Sequence, residues 1–116
     1  MKILLVNDQD LFTNTFAYLL RKWDHQVEVA HRVRSAGLLL DQQEFDVAIV
    51  DWWMKEPGSA DLMARAKASG AFVILLTAHI NPPPNSSGVY DQFLGFGPHL
   101  EDRLSVALEK AHRNRK

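Results

Sequence analysis

The sequence predicts a three-layer α/β fold, a parallel sheet with helices on both faces. Two observations lead there. Apolar runs of strand length alternate with segments whose apolar residues recur at helical spacing. Three of those runs, Ile3–Val6, Val47–Val50 and Val73–Leu76, are followed directly by oxygen-bearing residues: Asn7 and Asp8, Asp51, and Thr77. Neighbouring parallel strands would bring those oxygens to one rim, the edge at which open α/β sheets place their sites. The bulk numbers agree: 116 residues, 47% hydrophobic and 23% charged, suit one globular domain spanning residues 1–116 with a core of its own.

Each element has its own warrant. Ile3 to Val6 reads as a buried strand. Phe12, Phe16, Leu19, Leu20 and Trp23 then fall on one helix face, with Asp8 or Asp10 as the candidate cap. Val27 to Ala30 alternates as a short strand, and Val33 to Gln42 is a helix carrying the Leu38-Leu39-Leu40 cluster. Phe45 to Val50 is the next strand. Ala60 to Ser69 is a helix stopped by Gly70, a residue suited to the left-handed turn that ends helices. Phe72 to Thr77 is a strand. The stretch 81–88, Asn-Pro-Pro-Pro-Asn-Ser-Ser-Gly, breaks the alternation, because proline removes backbone donors and clashes with the preceding turn; an extended loop is expected. Gln92 to Phe96 is the last strand. Leu100, Leu104, Ala107, Leu108 and Ala111 line the closing helix, whose basic end (Arg113, Arg115, Lys116) suits the helix dipole. The natural arrangement is a flavodoxin-like (βα)5 sheet in the order 2-1-3-4-5, which sets the strands ending at Asp8 and Asp51 side by side.

Composition narrows the function. A net charge of −1 argues against a nucleic-acid-binding surface, so no direct nucleic-acid partner is expected. The absence of cysteine removes disulfides, thiolate nucleophiles and zinc–thiolate sites. The opening apolar run is too short for a signal peptide, and no segment reaches membrane-spanning length, so a soluble cytoplasmic protein is expected. None of the five histidines is spaced as a metal motif; His79, two residues past Thr77, is a candidate to line the rim. Trp52 and Trp53 could stack on bases, but the expected arrangement has one packed beneath the site and one covering its edge. An aspartate at a strand tip is by itself often only a cap or turn residue. The weight lies in the three tips together.

These residues resemble the receiver domain of response regulators in two-component signalling, over nearly the whole chain. Lys2-Ile3-Leu4-Leu5-Val6-Asn7-Asp8 resembles the opening strand and acidic pair. Asp46-Val47-Ala48-Ile49-Val50-Asp51-Trp52-Trp53-Met54 resembles the strand that carries the phosphoacceptor, and Val73 to Ala78 the strand ending in the switch threonine. The resemblance implies that Asp51 accepts a phosphoryl group and that Asp8, Asp51 and the Trp53 carbonyl ligate magnesium. It also implies that Thr77 meets the phosphoryl oxygen and that Phe93 is the aromatic switch. The chemistry is coherent: a carboxylate can attack phosphorus to form an acyl phosphate, and a cation preferring octahedral oxygens offsets the crowded negative charge.

Three departures qualify the resemblance. Asn7 stands where an aspartate is usual; it would act through a metal-bound water, at the cost of one formal charge. Phe96 stands where a clamp lysine is usual, and no lysine occurs between Lys67 and Lys110. Loss of that cation removes about 3 kcal/mol of transition-state stabilisation by analogy with other electrostatic stabilisers. Lys55 is the candidate substitute. The fourth helix of the family is shortened or replaced by the Pro-rich loop, which rebuilds the output face. The expectation is therefore an atypical signalling receiver, not an enzyme. It acts by protein–protein interaction with a histidine kinase or an effector domain, homodimerisation being open. Magnesium binding is weak, and phosphorylation switching at Asp51 is weak or absent. The alternative is a working phosphorelay receiver, phosphorylated on Asp51 by a histidine kinase with magnesium; a remote third is a small metal-dependent phosphohydrolase.

Overall fold

The structure, a computed structural model, describes residues 1–78, 81–83, 86 and 88–114. The elements are β1 (Lys2–Val6), α1 (Asp10–Lys22), β2 (Gln26–Ala30), α2 (Val33–Gln42), β3 (Val47–Asp51), α3 (Ser59–Ala68), β4 (Phe72–Thr77), β5 (Gln92–Gly95) and α4 (Leu100–Arg113). All five strands run parallel, in the order β2-β1-β3-β4-β5. This is the predicted topology.

Strand alternation sorts the core into two layers. Ile3, Leu5, Ile49, Ile74, Leu76 and Leu94 face α1 and α4, where Phe16, Ala17, Leu20, Leu104, Ala107, Leu108 and Ala111 meet them. Leu4, Val6, Ala48, Val50, Val73 and Leu75 face α2 and α3, against Ala36, Leu62, Met63 and Ala66. The strands β1, β3 and β4 are thus buried on both sides, and their near-continuous apolar runs are the signature of that position. By contrast β2, an edge strand, alternates exposed and half-buried residues until Ala30.

Several boundaries differ from expectation. The third strand runs from Val47 and includes Asp51, two residues later at its start than Phe45. The last ends at Gly95, although the Phe96 amide still donates to the Thr77 carbonyl at 2.9 Å. Neither Asp8 nor Asp10 caps α1. Gln9 holds the cap position with no side-chain cap bond, while Asp10 lies in the first turn, where its charge suits the dipole. The amide of Gln9 instead donates to the Asn7 side chain, so the turn chemistry lies one step upstream of where periodicity placed it. Gly70 ends α3 as expected, at φ +103° with its amide on the Lys67 carbonyl.

Between β4 and β5 none of the described residues is helical. Ser86 is buried, and both its amide and its hydroxyl (2.6 Å) donate to the Pro83 carbonyl. Pro84, Asn85, Ser87, Arg115, Lys116 and the rim candidate His79 lie outside the described residues.

Candidate functional site

The C-terminal ends of β1, β3 and β4 assemble the site. Val6 is paired with Val50, and Asp51 with Leu76, one residue before Thr77. Asn7 and Asp8, Asp51 and Thr77 therefore sit at adjacent strand tips of one rim, as the register of apolar runs predicts.

Asn7 is almost fully buried, at 2% exposure. Its side-chain oxygen accepts the Gln9 amide at 2.7 Å, forming an Asx turn that redirects the chain from β1 into α1. Its own amide donates to the Ala30 carbonyl at 3.1 Å. Its carbonyl accepts from the Thr13 hydroxyl (3.3 Å), which also donates to the Gln9 carbonyl at 2.7 Å. The Asn7 carbonyl also meets His31 Nδ1 at 3.2 Å, a bond that places the ring proton on Nδ1. His31 Nδ1 lies 3.4 Å from Asp10 as well. An amide fills this structural role as well as a carboxylate would, without bringing a charge into a buried turn.

Asp8 and Asp51 are half-buried. Asp8 Oδ2 accepts the Lys55 backbone amide at 2.8 Å, tying the β3–α3 loop back over the tip of β1. Asp51 Oδ1 accepts the Trp53 amide at 3.1 Å, a second Asx turn, and its carbonyl accepts the Ser59 hydroxyl at 3.2 Å. The ammonium of Lys55, the candidate substitute cation, forms no ion pair among the described residues; the contact with Asp8 is made by the backbone. Thr77 is fully buried and paired in register with Gly95. Trp52 packs against the core layer of α2 and α3, whereas Trp53 is 55% exposed at the rim. This divides the pair as expected into one packing and one edge residue.

Phe93 lies level with Leu75 and packs on the α2/α3 layer. Phe96 takes the opposite course. Its ring stacks on Phe12 of α1 at 4.8 Å and 21°, and Phe12 in turn stacks on the core residue Phe16 at 4.8 Å and 26°. Sequence periodicity identified Phe12 and Phe16 as a core face but gave no sign of the third ring, which comes from just past the end of β5, 84 positions after Phe12. His31, Thr13 and Ser59 were likewise missed as support for the acidic tips; each bonds main-chain carbonyls across elements, and no spacing rule announces that.

The donor set fits a hard divalent cation. Two carboxylates and a carbonyl are oxygen ligands of the kind magnesium takes, with water completing its shell. The bond from Lys55 occupies only Oδ2 of Asp8. Among the described residues no group of three or more His, Cys, Asp or Glu converges for a metal.

No family model matches the chain. Over 80 residues, 67% of the chain, it is 34% identical to the alginate biosynthesis transcriptional regulatory protein AlgB of Pseudomonas putida and, at the same identity, to AlgB of Pseudomonas aeruginosa. That match spans 18% of the length of either relative. Among solved structures, the response regulator TrrA of Thermotoga maritima, in complex with Mg2+ and BeF, superposes with a TM-score of 0.84 at 22% identity, covering 95% of this chain and 97% of that one. A response regulator receiver domain from Clostridium thermocellum gives 0.83 at 23%, covering 97% and 94%. The chemotaxis response regulator CheY4 of Vibrio cholerae gives 0.80 at 22%, covering 95% and 97%.

Proposed function

For a chain with the receiver-domain fold of response regulators, we propose an atypical signalling receiver, working through protein–protein contact, in which phosphorylation of Asp51 has lost most of its switching power. One observation carries this reading. Phe96, at the register position where the resemblance expects a cation, has its ring stacked on Phe12 of α1. A phenyl ring cannot neutralise a transferring phosphoryl group, and Lys55 contributes its backbone amide, not its charge, to the acidic tips.

Asp51 keeps the role of acceptor position and Thr77 that of its hydroxyl neighbour. Asp8, Asp51 and the Trp53 carbonyl would hold a magnesium-type cation, with Asn7 reaching it through water. Once bound, the cation would offset the charge between a carboxylate and a phosphodonor. The chain's own part is to set the oxygens in place: the Asx turns at Asn7 and Asp51 aim the two tips, and the Lys55 amide fixes one oxygen of Asp8. The partner is a histidine kinase or an effector domain. The relation to AlgB, named a transcriptional regulatory protein, favours the second. No described helix is long and apolar enough to cross a membrane.

The test is incubation with magnesium and a small phosphodonor, followed by intact mass and tryptophan fluorescence. Little acyl phosphate and a small spectral change are expected. Stoichiometric acyl phosphate with a large fluorescence change, both lost in Asp51→Asn, would overturn the reading. A second reading, a slow but working acceptor, is favoured by the gathering of Asp8, Asp51 and Thr77 at one rim. It requires Asp51-dependent phosphorylation that Lys55→Ala abolishes.

A further inference from the structure

The corner between β5 and α4, residues 95–98, is held from three sides. On the α1 side, the Phe96 ring caps the stack that runs through Phe12 to the buried Phe16. On the β4 side, the Phe96 amide donates to the Thr77 carbonyl at 2.9 Å, one rung beyond the end of the strand. On the α4 side, Arg103 donates through Nη1 to the Gly95 carbonyl at 2.7 Å and through Nε to the Pro98 carbonyl at 3.2 Å. Gly97, at φ +136°, takes the bend between the two guanidinium contacts, a conformation closed to residues with a side chain. The stack is electrically neutral, and the arginine grips main-chain carbonyls.

We propose that residues 95–98 form a fixed staple joining α1, β4 and α4, in which the Phe12–Phe96 stack and Arg103 together hold the corner in one conformation whatever the charge at Asp51. The inference goes beyond the proposed function and stands whether or not Asp51 is phosphorylated. A charged clamp would couple this corner to the acidic tips through Coulomb attraction, which changes when charge is added. Stacking and dispersion depend on ring overlap and are indifferent to it.

The experiment is amide hydrogen exchange, read by NMR on the full chain without ligand, at the Phe96 amide, which donates to the Thr77 carbonyl, with the Ile49 amide as the monitor of global opening. Replacing the ring in Phe96→Leu or Phe12→Leu should speed exchange at 96 roughly two- to twelvefold, the range a stacking contact commands, while Ile49 lags behind. The double variant should be no faster than the faster single one, because both remove the same contact. Arg103→Met should also speed exchange at 96. Asp51→Asn, which removes the charge, should leave exchange at 96 within about twofold of wild type. Exchange at 96 that tracks Ile49 in every variant, additive effects in the double variant, or a response to Asp51→Asn as large as that to Phe96→Leu would each overturn the proposal.

Discussion

Replacing Phe96 with lysine sets two effects of this structure against each other. Phe96 is 37% exposed, so about two-thirds of its surface is out of water. Full burial of such a ring is worth roughly 1.5–3 kcal/mol, which scales to about 1–2 here, and the stack on Phe12 adds about 0.5–1.5. Phe96→Lys should therefore destabilise the protein by roughly 2–3 kcal/mol, lowering the melting temperature by about 10 °C in a chain of this size. The same change places an ammonium at the corner beside the acidic rim. If the missing cation is what limits transfer, about 3 kcal/mol returns to the transition state, roughly a 100-fold faster phosphorylation of Asp51. Circular dichroism melting measures the first effect. Intact mass against time with magnesium and a small phosphodonor measures the second, at a temperature where the variant is folded. A variant as stable as wild type would show that the stack contributes nothing. A folded variant phosphorylated no faster would show that the vacant clamp does not explain weak switching.

Three further outcomes follow from other parts of the molecule. Thr13→Val removes a buried hydroxyl that donates to the Gln9 carbonyl, and urea unfolding should show a loss of about 1–2 kcal/mol. Gly70→Ala meets no atom within 4 Å, so its cost of about 1 kcal/mol in the same assay would come from the backbone alone, held at φ +103°. The His25 imidazole is held below its ordinary range by burial and, to a lesser degree, by the chain's amino terminus, with Asp24 opposing. The folded state then binds this proton less readily than the unfolded chain. Its contribution to stability is complete above the ordinary histidine range and is lost as pH falls from about 6.5 through the lowered folded value. Stability measured by urea titration should drop over that window, and His25→Gln should flatten the drop.

The fold was legible because β1, β3 and β4 are buried on both faces, which turns each into an unbroken apolar run, while α1 and α4 write their buried stripes at helical spacing. The same runs led to the acidic rim, since each ends at the residue that leaves the sheet. The cap of α1 was less legible. Asp8 and Asp10 both have the right chemistry, and only the course of the chain shows Asn7 turning inward to take the Gln9 amide. The role of Lys55 was also hidden: its position next to the acids suggested a cation, but backbone geometry delivers the amide.

The sequence by itself determined the five-strand alternation, the three oxygen-bearing tips, the proline-rich break in that alternation and the absence of a lysine near the last strand. All of these are local properties, set by periodicity, residue type and the stereochemistry of proline. What Phe96 does in place of a cation was decided only by the tertiary structure. Its partner Phe12 lies 84 positions earlier, and Arg103, which grips the same corner, belongs to the following helix. Contacts of that span depend on how the sheet twists and how α1 and α4 settle on one face, and no local pattern records them.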